Sequence, residues 1–82
     1  MIEAKVAHER SKERQGEIIA EHLKWFMVRA ELAIEKAISN GRDSVNLNAG
    51  DLRIEAIEQG LAELEKIGYK TERVMGDITI YW

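Results

Sequence analysis

Residues 18–39 form a predicted helix with apolar side chains on two opposite sides, which restricts the folds that can accommodate it. One row recurs every three or four residues, the repeat of a helix that buries one face. Its members are Ile19, Leu23, Phe26, Met27, Ala30, Ala33, Ile34, Ala37 and Ile38. The second row lies on roughly the opposite side and consists of Ile18, Trp25, Val28 and Leu32. A surface helix needs only one apolar face, so the second row is either a set of partly exposed apolar groups or a subunit interface.

The size of the chain favours the interface, with Trp25 at its centre. The chain has 82 residues and no cysteine, so one small core must hold it without disulfides. Domains of this size often gain stability by oligomerising, and tryptophan is frequent among the residues that dominate binding energy. We therefore predict a homo-oligomer, a dimer in the first instance, that buries the second row.

Residues 1–17 are more highly charged than the rest of the chain. They contain four basic and four acidic residues, namely Glu3, Lys5, Glu9, Arg10, Lys12, Glu13, Arg14 and Glu17. These residue types favour a helix, but no apolar stripe is present to bury. We expect a solvated helical extension or arm that ends near Gly16, followed by a single domain over residues 18–82.

Short strands and one further helix are predicted after the first helix. Residues 44–47 predict a strand, and residues 69–75 and 77–82 predict a hairpin. Residues 51–67 predict a helix whose buried stripe is Ile54, Ile57, Leu61, Leu64 and Ile67. Gly60 lies on the flank of this stripe, where a missing side chain indicates close approach of a neighbouring element.

The order α-β-α-β-β predicts an α+β fold, specifically a two-layer α/β sandwich. The crossover from the first strand through the second helix should make the first two strands parallel. The last strand is the most apolar and is expected in the centre. The predicted sheet is therefore mixed and three-stranded, with the order 1-3-2 and both helices on one face.

The final residues, "GDITIYW", alternate between two faces of the last strand. Ile78, Ile80 and Trp82 are expected to face the core. Thr79 and Tyr81 are expected on the other face, where they could contact a partner. The hairpin register stays open, because a two-residue loop pairs Met75 with Ile78 and a three-residue loop pairs Val74 with Ile78.

No catalytic or metal-binding arrangement is visible in the sequence. His8 and His22 have no second histidine or carboxylate one helical turn further on, so we interpret both as solvated. The turn "NAGD" is explained by a helix that begins with Asn48 or Asp51 as its cap. We predict a non-enzymatic protein with no catalytic residue, no cofactor and no metal ion.

The charge balance disfavours nucleic acid as the main partner. The net charge is −3, whereas proteins that bind phosphate backbones are usually basic. A nucleic-acid-associated protein remains the alternative, with the N-terminal arm contacting phosphates and Tyr81 stacking on a base. No apolar run reaches about 18 residues, and the N-terminus lacks the apolar segment of a signal peptide. A cytoplasmic protein without membrane contact is therefore expected.

The C-terminal half resembles a group of known proteins. The segments "GRDSVNL", "LAELEKIGYK" and "GDITIYW" are similar to parts of small uncharacterised proteins encoded by phages and prophages of Gram-positive bacteria. The resemblance covers residues 37–82, and it transfers no catalytic or binding residue. It implies an accessory protein of the host cytoplasm that acts by binding another protein. Together with the apolar second row, this predicts a self-associating protein-interaction module.

Overall fold

The computed structural model describes all 82 residues and consists of two helices and three strands. In chain order these are α1 (Ala4–Ser39), β1 (Ser44–Asn48), α2 (Ile54–Lys66), β2 (Lys70–Val74) and β3 (Asp77–Tyr81). The predicted element order and the α+β class are confirmed. Neither helix combines the length and the apolar character that a membrane crossing requires.

The first helix, α1, is longer than predicted. It runs for 36 residues, about 54 Å at 1.5 Å per residue, and it continues through Gly16 without a break. A Cβ added to Gly16 would meet nothing within 4 Å, so no packing requires a glycine here. The helix-forming residues on either side keep the helix continuous through it. The helix ends where Gly41 adopts a φ of 71° and the Arg42 N–H donates to the Ala37 carbonyl at 2.9 Å, as the glycine predicted. Residues 4–17 are all exposed, and we call them the extension.

The three strands form one sheet in the order β1-β3-β2, and both ladders are antiparallel. β1 and β2 therefore run in the same direction, as the crossover predicted, with β3 between them. Because no two parallel strands are neighbours, the sheet is antiparallel throughout. The predicted order is confirmed, whereas the predicted mixed pairing is wrong.

The hairpin between β2 and β3 has a register that neither sequence alternative predicted. Val74 pairs with Asp77, so the loop consists of Met75 and Gly76. Met75 adopts a φ of 57°, a region that non-glycine residues seldom occupy. Gly76 is required for space, because a Cβ there would lie 2.8 Å from the Cα of Gly50. The turn thus packs against the loop between β1 and α2.

The core lies between the two helices and one face of the sheet. Its largest fully buried side chains are Phe26, Ile78 and Ile80. They belong to a single cluster to which both helices and the strands β1 and β3 contribute, so both helices lie on the same face of the sheet. A Cβ on Gly60 would overlap the ring of Phe26. The close approach predicted at Gly60 is therefore confirmed.

The buried face of α2 differs from the predicted stripe. The helix begins at Ile54 rather than Asp51, and Ile54 and Ile67 are both exposed. Ile57 and Leu64 are buried as predicted, and Ala56 and Gly60 are buried beside them. Part of the reason is steric, because a Cβ at position 60 would overlap the Phe26 ring, so α1 contacts α2 at a residue without a side chain.

Trp82 lies outside the core, contrary to prediction. It follows the last residue of β3 and is 40% exposed. Its ring packs edge-on against Tyr69, with 6.1 Å between ring centroids. The alternation is therefore confirmed for Ile78 and Ile80, which are fully buried, and it ends before the final tryptophan.

Candidate interaction surface on the first helix

Three large apolar residues lie exposed on the side of α1 that faces away from the core. Trp25, Val28 and Leu32 are 51%, 48% and 62% exposed, and Ile18 on the same side is partly buried. We call these four residues the outer row. They are the residues that the sequence predicted as an oligomer interface. The structure places them together along about four turns of α1, opposite the buried row.

Trp25 is held in place by its neighbours within the chain. Its ring stacks on His22, with 5.2 Å between centroids and 26° between ring planes. The Nδ1 atom of His22 accepts a hydrogen bond from the Arg53 N–H at 2.8 Å. The interpretation of His22 as solvated was therefore wrong: it is partly buried and satisfies a backbone donor at the start of α2. An aromatic ring oriented before binding loses less entropy when a partner covers it.

One flank of the outer row is fixed by an ion pair. Arg29 donates two hydrogen bonds to the carboxylate of Asp51, at 2.9 and 3.1 Å, and a third to the Asn48 carbonyl at 3.2 Å. The hydrogen bonds between the two side chains raise the pKa of Arg29 and lower the pKa of Asp51. Either Asn48 or Asp51 was predicted as the cap of α2, yet α2 has no side-chain cap. Their role is to join α1 to the loop that precedes α2.

The other flank of α1 opens into an apolar groove. Its volume is about 380 Å³, and six of its eight lining residues are hydrophobic. Ile38 and Ile67 lie at its mouth and are exposed, and Glu31 and Glu35 form part of its rim. This groove was not predicted, because Ile38 and Ile67 each continued a stripe that was expected to be buried.

Thr79 and Tyr81, the predicted partner contacts on the open face of the sheet, are engaged within the chain. The Tyr81 hydroxyl donates to Glu72 Oε2 at 3.1 Å, and Thr79 Oγ1 accepts a hydrogen bond from Asn46 Nδ2 at 3.1 Å. Glu72 raises the pKa of Tyr81 mainly through this hydrogen bond. Of these two residues, Tyr81 keeps a partly exposed ring that another molecule could contact.

The rest of the chain holds neither a metal-ligand group nor a buried polar residue. The chain has no group of three or more His, Cys, Asp or Glu residues that could hold a metal ion. No polar or charged residue is buried. His8, in the extension, is exposed. The outer row is therefore the surface feature with the clearest physical consequence, since apolar side chains gain free energy when a partner removes them from water.

Comparison with known proteins adds no assignment: neither a family model, nor a curated protein, nor a solved structure matches this chain. The interpretation of its function therefore depends on the surface described above.

Proposed function

We propose that this protein is a non-enzymatic, self-associating interaction module whose interface is the outer row. The observation that carries the proposal is the exposure of Trp25, Val28 and Leu32 side by side on one face of α1. Exposed apolar residues that occur singly need no explanation, whereas a contiguous group centred on a tryptophan is typical of a binding surface.

A second copy is the partner that the small core favours. Only 13 of the 82 residues are buried, so the isolated chain has a modest hydrophobic core, which a dimer would extend. The outer row also lies on a helix, and two copies of one helix can pack against each other through the same face. The resemblance of residues 37–82 to small phage and prophage proteins supports an accessory role in the host cytoplasm, exercised through binding.

Light scattering coupled to size-exclusion chromatography tests this proposal. We expect a dimer for the natural sequence and a shift to monomer for Trp25→Asp. A natural protein that stays monomeric at the highest concentration it tolerates would refute self-association.

Association with nucleic acid is less well supported. The residues of the open sheet face include Glu72 and Asp77 beside Lys70, so this face attracts phosphate only weakly. In the extension, Arg14 is already paired with Glu17 and Glu21, at 3.0 and 3.8 Å. Binding to DNA or RNA at about 50 mM salt, where electrostatic attraction is strong, would revive this alternative.

A further inference from the structure

The side of α1 that carries the outer row continues into the extension. From Ala4 to Ser39, positions spaced alternately three and four residues apart all lie on the same side as Trp25. We call these positions the seam. All of them are exposed except Ile18, which is partly buried. This spacing is typical of a helix that packs lengthwise against another helix.

The two ends of the seam differ in size. At the extension end it holds Ala4, Ala7 and Ser11, and toward the other end it holds the bulky Val28 and Leu32. Small residues allow a second helix to approach closely, and bulky apolar residues need such a helix to cover them. The two ends of one seam therefore complement each other when the second helix runs in the opposite direction.

Charge along the seam also disfavours a parallel pair. In a parallel pair each residue faces its own copy, so Arg14 would face Arg14, and Glu21 and Glu35 would each face another glutamate. Facing like charges are destabilising, and charge pairs help to fix the orientation of paired helices. In an antiparallel pair, by contrast, no seam residue away from the twofold axis faces its own copy.

The charges beside the seam distinguish the antiparallel registers. Arg10, Glu17, Lys24 and Glu31 follow one flank at intervals of seven residues, and all are exposed. When Trp25 faces Arg14 of the second copy, Lys24 faces Glu17 and Glu31 faces Arg10, so both pairs along this flank are attractive. Moving the second helix by one repeat in one direction places Lys24 opposite Lys24. Moving it by one further repeat joins Lys24 to Glu31 but leaves most of the extension uncovered.

We infer that two copies pair antiparallel, so that the extension of each copy covers the outer row of the other. This inference rests on the proposed self-association and adds its geometry. Leu32 then packs on Ala7 of the second copy, Val28 packs on Ser11, and the guanidinium of Arg14 lies over the indole of Trp25, a favourable cation–π arrangement. The extension thereby gains a role, because every one of its residues is exposed in the single chain.

Introduced cysteines test the pairing directly, because the chain has none of its own. The double variant Ser11→Cys/Val28→Cys should form disulfide-linked dimers under mild oxidation, with position 11 joined to position 28. The two positions lie about 25 Å apart along α1, so a disulfide within one chain is impossible. Each single variant serves as the matched control and should remain uncrosslinked.

The outcomes separate the pairing from self-association itself. Efficient crosslinking of Ser11→Cys alone would indicate a parallel pair and overturn the inference. A double variant that is dimeric by light scattering yet forms no 11-to-28 disulfide would also overturn it, while leaving self-association intact. A monomeric natural protein would instead refute the proposed function on which the inference rests.

Charge exchange provides a test that does not depend on thiol geometry. Arg10→Glu and Glu31→Arg each replace two attractive contacts per dimer with repulsive ones, and each should raise the dimer Kd about tenfold. The combined variant Arg10→Glu/Glu31→Arg restores opposite charges and should return the Kd to near its natural value. Both positions are exposed, so the fold should tolerate these changes, and a combined variant as weak as the product of the single variants would contradict the pairing.

Discussion

Replacing Trp25 with aspartate should break the dimer while leaving the fold of each copy intact. Trp25 is 51% exposed, and a tryptophan side chain offers about 150–250 Å² for burial, so roughly 100 Å² is left for a partner to cover. At about 25 cal/mol per Å² this corresponds to about 2.5 kcal/mol for each copy. Both copies change in a symmetric dimer, so the loss is about 5 kcal/mol, or at least a thousandfold in Kd.

Sedimentation velocity over a range of concentrations gives this Kd, and circular dichroism reports on the fold. The monomer should lose only the stacking of Trp25 on His22, about 1 kcal/mol, because the indole lies outside the core cluster. Ile67→Asp is a matched control, since Ile67 is 71% exposed but borders the groove rather than the outer row. We expect this control to remain dimeric.

Two results would refute this reasoning. A change in Kd below tenfold for Trp25→Asp would show that the outer row is not the interface. Dissociation of the dimer by Ile67→Asp, with Trp25→Asp unaffected, would move the interface to the groove.

Two further changes probe the core and the open face of the sheet. Gly60→Ala should lower the free energy of unfolding by about 2 kcal/mol in chemical denaturation, because the new Cβ overlaps the ring of Phe26, and no loss would contradict this packing. Its matched control, Gly16→Ala, has open space around the new Cβ and should raise stability by up to about 1 kcal/mol. Glu72→Gln should lower the pKa of Tyr81 in an ultraviolet titration, because the hydrogen bond to the carboxylate raises it. Because the pKa of Tyr81 is raised in the folded state, this contact stabilises the fold below the ordinary tyrosine pKa of about 10, and the stabilisation is lost as pH rises through the raised pKa. Glu72→Gln should therefore lose less stability than the natural protein at alkaline pH. An unchanged titration of Tyr81 would rule out the contact.

Patterns that depend on near neighbours in the sequence predicted most of the architecture. The spacing of apolar residues located both helices, and the alternation of Ile78 and Ile80 identified the buried face of the central strand. Gly60 indicated a close contact between elements, because a glycine within a helix lowers stability and is therefore expected mainly where a neighbouring element leaves no room for a side chain. Each of these patterns lies within one helix or strand, so it can be recognised without knowing which elements pack together.

Features that join distant segments could not be predicted in the same way. Arg29 and Asp51 come from different elements, and nothing in their local sequence marks them as a pair. The hydrogen bond from the Arg53 N–H to His22 is a similar case. In α2, Ile57 and Leu64 of the predicted stripe are buried, whereas Ile54 and Ile67 at its two ends are exposed. The close contact between Gly60 and the Phe26 ring, together with hydrophobicity, determined that face.

The candidate interface could be predicted because the chain is too small to cover a second apolar row on α1, which is also why this row is exposed. A row of apolar residues opposite the buried row is visible in the sequence, and a chain of 82 residues has too few other elements to cover it. The groove beside it was not predictable, because exposure of Ile38 and Ile67 depends on how far α2 reaches along α1.

The proposed pairing couples the order of the extension to the association of two copies. The extension is a helical segment that is exposed along its whole length, and in water such segments are only marginally stable without packing. If a second copy covers it, helix formation in residues 4–17 gains the packing energy of Val28 and Leu32 of that copy. Helicity should therefore fall as the protein is diluted through its dimer Kd, and Trp25→Asp should show the lower helicity at every concentration. Circular dichroism at 222 nm, recorded in cells of increasing path length, measures this dependence, and helicity that stays constant on dilution while the dimer dissociates would show that the extension folds without a partner.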